Sequence, residues 1–300
     1  MFNIVQFFGD HQIDYSLSGN NVMDGWVNIC CPFCDDHSNH LGVFLKKPAN
    51  VRCWRCGKHT LPNLLAQFSD KKPKTLYSLY SLDGDEEIPD DEGDITEKTI
   101  LSHNEVHKLF TQNSSPSLMG NYARYLLNRK FNISIKNEWG VQGGIEMGDY
   151  RYRLMIPVIH RGKMVSFQGR DITDKQDVKY MTCEDTQINN YLYGLDDIAD
   201  DRVIITEGAM DVWRLGRGNA VATFGIEYSA EQLVLLLKHK IKHAIVFFDS
   251  EPQAMSAATT LIGELELLDI NVKNITIAGK DPANLTKEEA IGIVKYLANM

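Results

Sequence analysis

Five carboxylates in the C-terminal third of this 300-residue chain each fall just behind a short apolar run. Glu207-Gly208 and Asp211 follow Val203-Ile204-Ile205-Thr206. Asp249-Ser250-Glu251 follows residues 244–248, and Asp281, in Gly279-Lys280-Asp281-Pro282, follows residues 272–277. Acids brought this close repel one another, and some keep a proton unless cations bind. Oxygen-only ligands suit Mg²⁺ or Mn²⁺, which take one or two carboxylates, several waters and substrate phosphates. The matching chemistry is metal-assisted phosphoryl transfer. A lone acid after a strand is usually a helix cap or a solvated end; three clusters, each behind its own strand, weigh against that here.

A second set is Cys31-x2-Cys34-x18-Cys53-x2-Cys56, the spacing of a tetrahedral four-thiolate zinc site. One structural zinc ion supplies folding free energy that so small a segment cannot draw from its own core. Cys30 lacks the spacing to Cys34, and His37 and His40 stay open as substitutes for one ligand. Cysteines used for metal rather than disulfides favour a reducing, cytoplasmic setting.

The elements that must carry these residues follow from periodicity. Residues 203–206 and 244–248 read as central parallel strands covered on both faces. Residues 209–217, 229–238 and 252–268 read as helices, the second begun by the capping box Ser229-x-x-Gln232; Thr286-x-x-Glu289 caps a last one. This β-α-β-α order predicts right-handed crossovers and a ligand crevice at the carboxyl ends of the strands. Upstream, 121–128 reads as an amphipathic helix. Residues 153–159 and 164–167 form a hairpin turning at Arg161-Gly162, followed by Gly169-Arg170 and Lys179-Tyr180.

Net charge is −9, which argues on its face against a nucleic-acid partner. Nine acids between Asp83 and Glu97, against Lys98 alone, account for nearly all of it. The remainder is near neutral, and local basic surface matters more than the total. That acidic run, with Lys71–Lys74 and Pro73 breaking the preceding helix, reads as a flexible linker over 69–100. A hydrophobic content of 43% suits a soluble chain. No membrane span or signal segment is visible.

Glu207-Gly208-x-x-Asp211 with Asp249-Ser250-Glu251 resembles the TOPRIM domain of DnaG-type primases, topoisomerases and some nucleases. Lys280-Asp281-Pro282 looks like the later acidic motif of primases, with Ala283 where many bacterial members carry a further Asp. Cys31-Pro32-Phe33-Cys34, a hairpin, and Cys53-Trp54-Arg55-Cys56-Gly57 look like the primase zinc-binding domain. Bacterial members commonly have His as second ligand; Cys34 is closer to the four-cysteine form of some phage enzymes. The middle segment resembles the basic subdomain preceding TOPRIM in the same family.

The resemblance implies an α/β chain with a β zinc ribbon at 1–68, the linker at 69–100, a mixed basic subdomain at 101–198 and a TOPRIM domain with a mostly parallel sheet at 199–300. It implies a DNA primase that starts short RNA chains on single-stranded DNA from ribonucleoside triphosphates. Glu207, Asp249, Glu251 and Asp281 hold the catalytic Mg²⁺ on this reading, and Asp211 assists. Arg153, Arg170 and Lys179 contact template or nucleotide phosphates, as a fork or a point charge suits them. Arg52, Trp54 and Arg55, with Lys46 and His59, present charge and a stacking surface to template. The alternative is a TOPRIM nuclease or helicase accessory factor without synthesis. No G-x4-G-K-[ST] occurs, so no helicase motor is expected. The chain resembles the primase half of a phage primase–helicase. A separately encoded replicative helicase is then the expected partner, and the host cytoplasm the setting.

Overall fold

Strand alternation dictates the first sheet. In the computed structural model, which describes residues 2–19, 21–45, 47–80, 100–277 and 279–300, five antiparallel strands lie side by side in chain order. They are Tyr15–Ser16 (β1), Trp26–Ile29 (β2), Leu41–Phe44 (β3), Lys47–Cys53 (β4) and Gly57–His59 (β5). Val27, Ile29, Leu41, Val43 and Val51 are buried on one face, because side chains alternate along a strand. The acidic run at 83–97 and Lys46 lie outside the described residues.

Helix Leu61–Phe68 follows, begun by Thr60, whose Oγ1 accepts from the Asn63 N–H at 3.3 Å. Pro73, expected to break the chain into a linker, instead opens helix Pro73–Tyr80. At a first helical position the missing N–H costs no hydrogen bond. This helix buries Leu76 and Tyr77, so packed structure continues to Tyr80.

The described residues divide into two compact units. The first joins the N-terminal segment to Tyr228–Lys242 and Thr260–Val272. Those stretches supply helix Ala230–Lys238, begun by the expected Ser229–Gln232 capping box, and the last turns of helix Pro252–Leu267. Two acids are buried there, Glu231 and Glu264. Burial, then the charges of Glu264 and Glu231, raises the Tyr77 phenol well above its ordinary pKa. Among the described residues, neither carboxylate oxygen of Glu231 nor the Tyr77 hydroxyl has a hydrogen-bond partner. Burial pushes Glu264 up to about 7, against the opposing pull of the Tyr228 hydroxyl and Lys58.

Because the folded pKa of Glu264 exceeds its unfolded value, its penalty is absent below the unfolded pKa and complete above the folded one. Glu264→Gln is therefore expected to stabilise the protein by roughly 1.5 kcal/mol at pH 5.5 and by about 3 kcal/mol above pH 7.5. Denaturant unfolding at both pH values checks this, and a gap that stays constant with pH refutes it.

The second unit begins with another antiparallel sheet, in spatial order β10-β9-β8-β7-β6. Its strands are Ser114–Ser115 (β6), Gln142–Gly144 (β7), Arg153–His160 (β8), Lys163–Asp171 (β9) and Tyr180–Thr182 (β10). β8 is covered on both faces. Leu154, Ile156 and Val158 enter the large core, while Met155 packs with Phe167, Val106 and Phe110. Arg161 and Gly162 close the β8–β9 turn at φ 50° and 72°, the two-residue geometry that matches strand twist. Asp196 accepts both of their N–H groups at 2.9 Å.

Then come Arg202–Thr206 (β11), Ala220–Ala222 (β12), His243–Val246 (β13) and Asn271–Asn274 (β14), in the order β12-β11-β13-β14. β11 runs parallel to both of its neighbours, so the expected α/β arrangement with a parallel sheet is present. β12, three residues long, has no distinct sequence pattern. Thr286 and Glu289 cap the last helix, Lys287–Ala298, as expected. No helix among the described residues is long and apolar enough to cross a membrane.

Candidate active site

Parallel neighbours end on the same edge of a sheet. β11 and β13 therefore deliver Glu207 and Asp249 side by side, and Glu207 Oε1 accepts the Asp249 N–H at 2.7 Å. Asp211, in the first turn of helix Ala209–Leu215, bridges two loops. Its Oδ2 accepts the Gly208 N–H at 2.8 Å and its Oδ1 the Ala283 N–H at 3.0 Å. Its carboxylate is thus already engaged by the backbone at both oxygens. Asp281 sits just before the Pro282–Asn284 turn and accepts from the Asn284 amide at 3.2 Å.

Glu207, Asp211, Asp249 and Asp281 line one crevice of about 250 Å³. Glu251 is exposed and stands outside its wall. Burial, and then repulsion from Asp249, Asp281 and Glu251, pushes Glu207 up to about 7. Burial and the charges of Asp281 and Glu251 push Asp249 up to about 6, against the pull of Lys179. Burial likewise pushes Asp211 up to about 7. Ala283 is buried, and it is its N–H that Asp211 Oδ1 accepts.

The opposite wall is basic. Arg170, on β9, is almost fully buried; its Nε donates to the Tyr125 hydroxyl at 3.0 Å and its guanidinium covers the Tyr180 ring at 4.8 Å. Its Nη1 has no hydrogen-bond partner among the described residues. Lys179 and Arg129 complete this wall. Arg129, which sequence reading did not single out, ends helix Asn121–Asn128 with its guanidinium 5.8 Å from the Tyr125 ring centroid. A basic residue at a helix C-terminus ordinarily reads as dipole compensation, so only the fold reveals it.

Arg153 corrects an expectation. It is buried, donates through Nη1 to the carbonyls of Gly169 at 3.0 Å and Val178 at 2.9 Å, and does not line the crevice. Its place at the start of β8 turns it inward, where it braces the hairpin.

In the other unit, Cys31, Cys34, Cys53 and Cys56 gather with all four sulfurs within 4.8 Å of one another. The pairs Cys31–Cys56 and Cys34–Cys53 stand 3.5 and 3.9 Å apart. Tetrahedral zinc with bonds of about 2.3 Å places sulfurs about 3.8 Å apart, so the cluster fits one zinc ion. Burial raises the Cys31 and Cys34 thiols. At Cys53 the N–H groups of Cys56 and Arg55 overcome burial and lower the pKa. Asp36, a residue sequence reading missed, fixes the first knuckle. It accepts the N–H groups of Cys31 and His40 at 2.8 Å and of Ser38 at 3.0 Å. His40 Nδ1 lies 2.7 Å from Asp36, and His37 pairs with Asp35 at 2.9 Å. Both histidines are engaged elsewhere, which leaves the thiols as the ligand set.

His59 stacks on Phe33 and places Nε2 3.1 Å from Cys56 Sγ, so it supports the zinc cluster rather than the outer face. Arg52, Trp54 and Arg55 do share an exposed groove, with Arg55 also bonded to the Asp35 carbonyl. No three crevice carboxylates among the described residues approach as closely as the thiols do. An open, all-oxygen set of this kind fits Mg²⁺, which keeps waters and substrate phosphates in its shell.

Residues 103–199 match the family model for the N-terminal domain of the DNA primase catalytic core, and 204–286 match a Toprim-like domain. None of the curated proteins compared matches. Among solved structures, the Aquifex aeolicus primase, comprising its zinc-binding and RNA polymerase domains, is 18% identical with a TM-score of 0.53; the match covers 99% of this chain and 82% of that one. That likeness speaks to the fold, and the family models carry the activity. With the catalytic-core domain running directly into Toprim in one polypeptide, the chain belongs to the DnaG-type DNA primases, the nucleotidyltransferases that make RNA primers.

Proposed function

We propose that the crevice binds Mg²⁺ through Glu207, Asp249 and Asp281, and joins ribonucleotides on a single-stranded DNA template. The observation that carries this is one wall of carboxylates with raised pKa values facing Arg170, Lys179 and Arg129. Mg²⁺ bound there supplies charge neutralisation for the triphosphate and acidifies the attacking 3′-hydroxyl. The chain's own groups do the positioning. Arg170 offers its unpartnered Nη1 to a phosphate oxygen, Lys179 adds a mobile charge, and Asp211 holds Gly208 and Ala283 in place. The 3′ oxygen bonds to the α-phosphorus as the bridging bond to the β-phosphate breaks. Pyrophosphate leaves and the hydroxyl proton passes to solvent. Glu251 tunes the field from the rim. The four thiols hold one structural zinc, and the ribbon's outer face meets template. A replicative helicase supplied by a separate chain, in the cytoplasm of a phage-infected host, completes the reading.

Labelled ribonucleotide incorporation on single-stranded DNA with Mg²⁺ tests it. Short RNA products that disappear with Asp249→Ala support the proposal; products that persist in that variant overturn it.

The two buried arginines separate function from bracing. Arg170→Lys removes a planar fork facing the crevice and is expected to raise the KM for triphosphates about tenfold, with a smaller change in kcat. Arg153→Lys removes a brace under the hairpin and is expected to lower stability while leaving that KM unchanged. Steady-state kinetics beside thermal unfolding distinguish the two, and equal KM effects would refute the assignment.

A further inference from the structure

Between the two crevice-facing bases Arg170 and Lys179 lies a loop gathered on one carboxylate. β9 ends at Asp171 and β10 begins at Tyr180, so residues 172–179 join them. Arg170 stands just before Asp171, and Lys179 is the last residue of the loop. A connection this long is not fixed by a two-residue turn. Asp174, Lys175, Asp177, Val178 and Lys179 are exposed, so burial alone does not set its shape.

Asp171 is 2% exposed. Its Oδ1 accepts the Thr173 N–H at 2.9 Å and the Thr173 hydroxyl at 2.8 Å. Its Oδ2 accepts the N–H groups of Lys175 at 3.1 Å and Gln176 at 3.3 Å. Asp174, at φ 54°, turns the chain between these donors, in the left-handed region that aspartate tolerates. Burial raises the Asp171 pKa, but the four donors outweigh it and hold the carboxyl below its ordinary value. The far end of the loop is held as well. The Asp171 N–H donates to the Lys179 carbonyl at 3.0 Å, and Arg153 donates to that of Val178 at 2.9 Å.

A carboxylate of this kind could cap any loop; what this loop carries gives it a further role. Lys179 lines the crevice and draws the Asp249 pKa down. An ammonium on a flexible four-carbon stem is placed only as well as the backbone beneath it. We propose that Asp171 is a positioning residue for nucleotidyl transfer: its carboxylate folds the loop that sets Lys179 against the triphosphate of the incoming ribonucleotide. The inference rests on the phosphate-binding reading of the crevice and adds to it the group that makes Lys179 effective. Asparagine is no substitute. It offers one oxygen to four donors and turns its own N–H groups towards the rest.

Equilibrium binding of ATP with Mg²⁺ to the full-length, zinc-loaded protein tests it, at a temperature where each variant is folded. Lys179→Met should weaken binding about tenfold. Asp171→Asn should reproduce most of that loss, and the double variant should bind no worse than Lys179→Met alone. A role confined to stability leaves affinity unchanged in the folded variant, or adds its loss in full to that of Lys179→Met. Either result overturns the inference, as does a Lys179→Met variant that binds like the intact protein. Where Asp171→Asn does not fold, Thr173→Val takes its place, removing the hydroxyl donor and keeping the carboxylate. A loss of about threefold that vanishes in the Lys179→Met background supports the inference; no loss, or one that persists there, overturns it. Binding is read without synthesis. Intact protein that binds ATP in this way yet incorporates no ribonucleotide fails the primase reading instead.

Discussion

Glu207→Gln should reduce ribonucleotide incorporation at least a thousandfold while raising the melting temperature measured without divalent cation. Glutamine is nearly isosteric, and its carbonyl can still accept the Asp249 N–H that Glu207 Oε1 accepts at 2.7 Å. The local fold is therefore retained. What disappears is a negative charge held beside Asp249, Asp281 and Glu251, the groups whose repulsion, after burial, pushes Glu207 up to about 7. Preorganised charge at a phosphoryl-transfer site contributes several powers of ten to rate. The same charge is a liability in the empty crevice. Its folded pKa lies above the ordinary value, so the stability penalty grows as pH rises from about 4.5 towards 7 and is complete beyond. The melting difference between intact protein and variant should accordingly widen over that range and close again when Mg²⁺ is added. A variant that keeps its activity, or that melts lower than the intact protein at pH 8 without cation, contradicts this account.

Stripping zinc should unfold more than the ribbon. Structural zinc contributes on the order of 10 kcal/mol or more to domains of this kind, and the four sulfurs within 4.8 Å are a site of that type. Had the ribbon been an isolated bead on a linker, chelation would leave the rest of the chain untouched. Instead, helix Ala230–Lys238 and the stretch Thr260–Val272 belong to the same compact unit as the cysteines. Leu233, Leu236, Leu261 and Leu265 are buried there. Removing the metal, or substituting Cys34→Ser, is expected to expose those helices with the ribbon. Proteolysis after chelation should then cut within 228–242 as readily as near Trp54. Cleavage confined to the first 70 residues would show that the unit does not melt together.

These outcomes bear on how far residue patterns reach. The strand-then-acid pattern located Glu207, Asp249 and Asp281 because buried strands and capping boxes are local signals, and a parallel sheet brings their ends together. The four cysteines were legible for the same reason: each knuckle is local, and one ion demands both. Arg153 was misplaced because a sequence displays a residue type and not the direction in which the chain turns it. Arg170 lies on the adjoining strand of the same hairpin and does face the crevice. Asp36 went unnoticed because a carboxylate that gathers backbone N–H groups has no characteristic spacing. Pro73 was taken for a stop, although the same ring suits a helix start. That residues 228–242 pack with the N-terminal segment depends on contacts across more than 150 positions, which no periodicity encodes.

The Asp211 bridge carries a lesson for inhibitor design. Both of its oxygens already hold backbone N–H groups, so a compound reaching for them meets acceptors that are partly used. Affinity has to be sought from Glu207, Asp249 and Asp281 on one side and the Arg170–Tyr180 stack on the other. Ala283, whose N–H completes the bridge, stands where many bacterial relatives carry an acid. A scaffold that grips such an acid would pass this enzyme by, and one that fills the small space left by alanine would find it selectively.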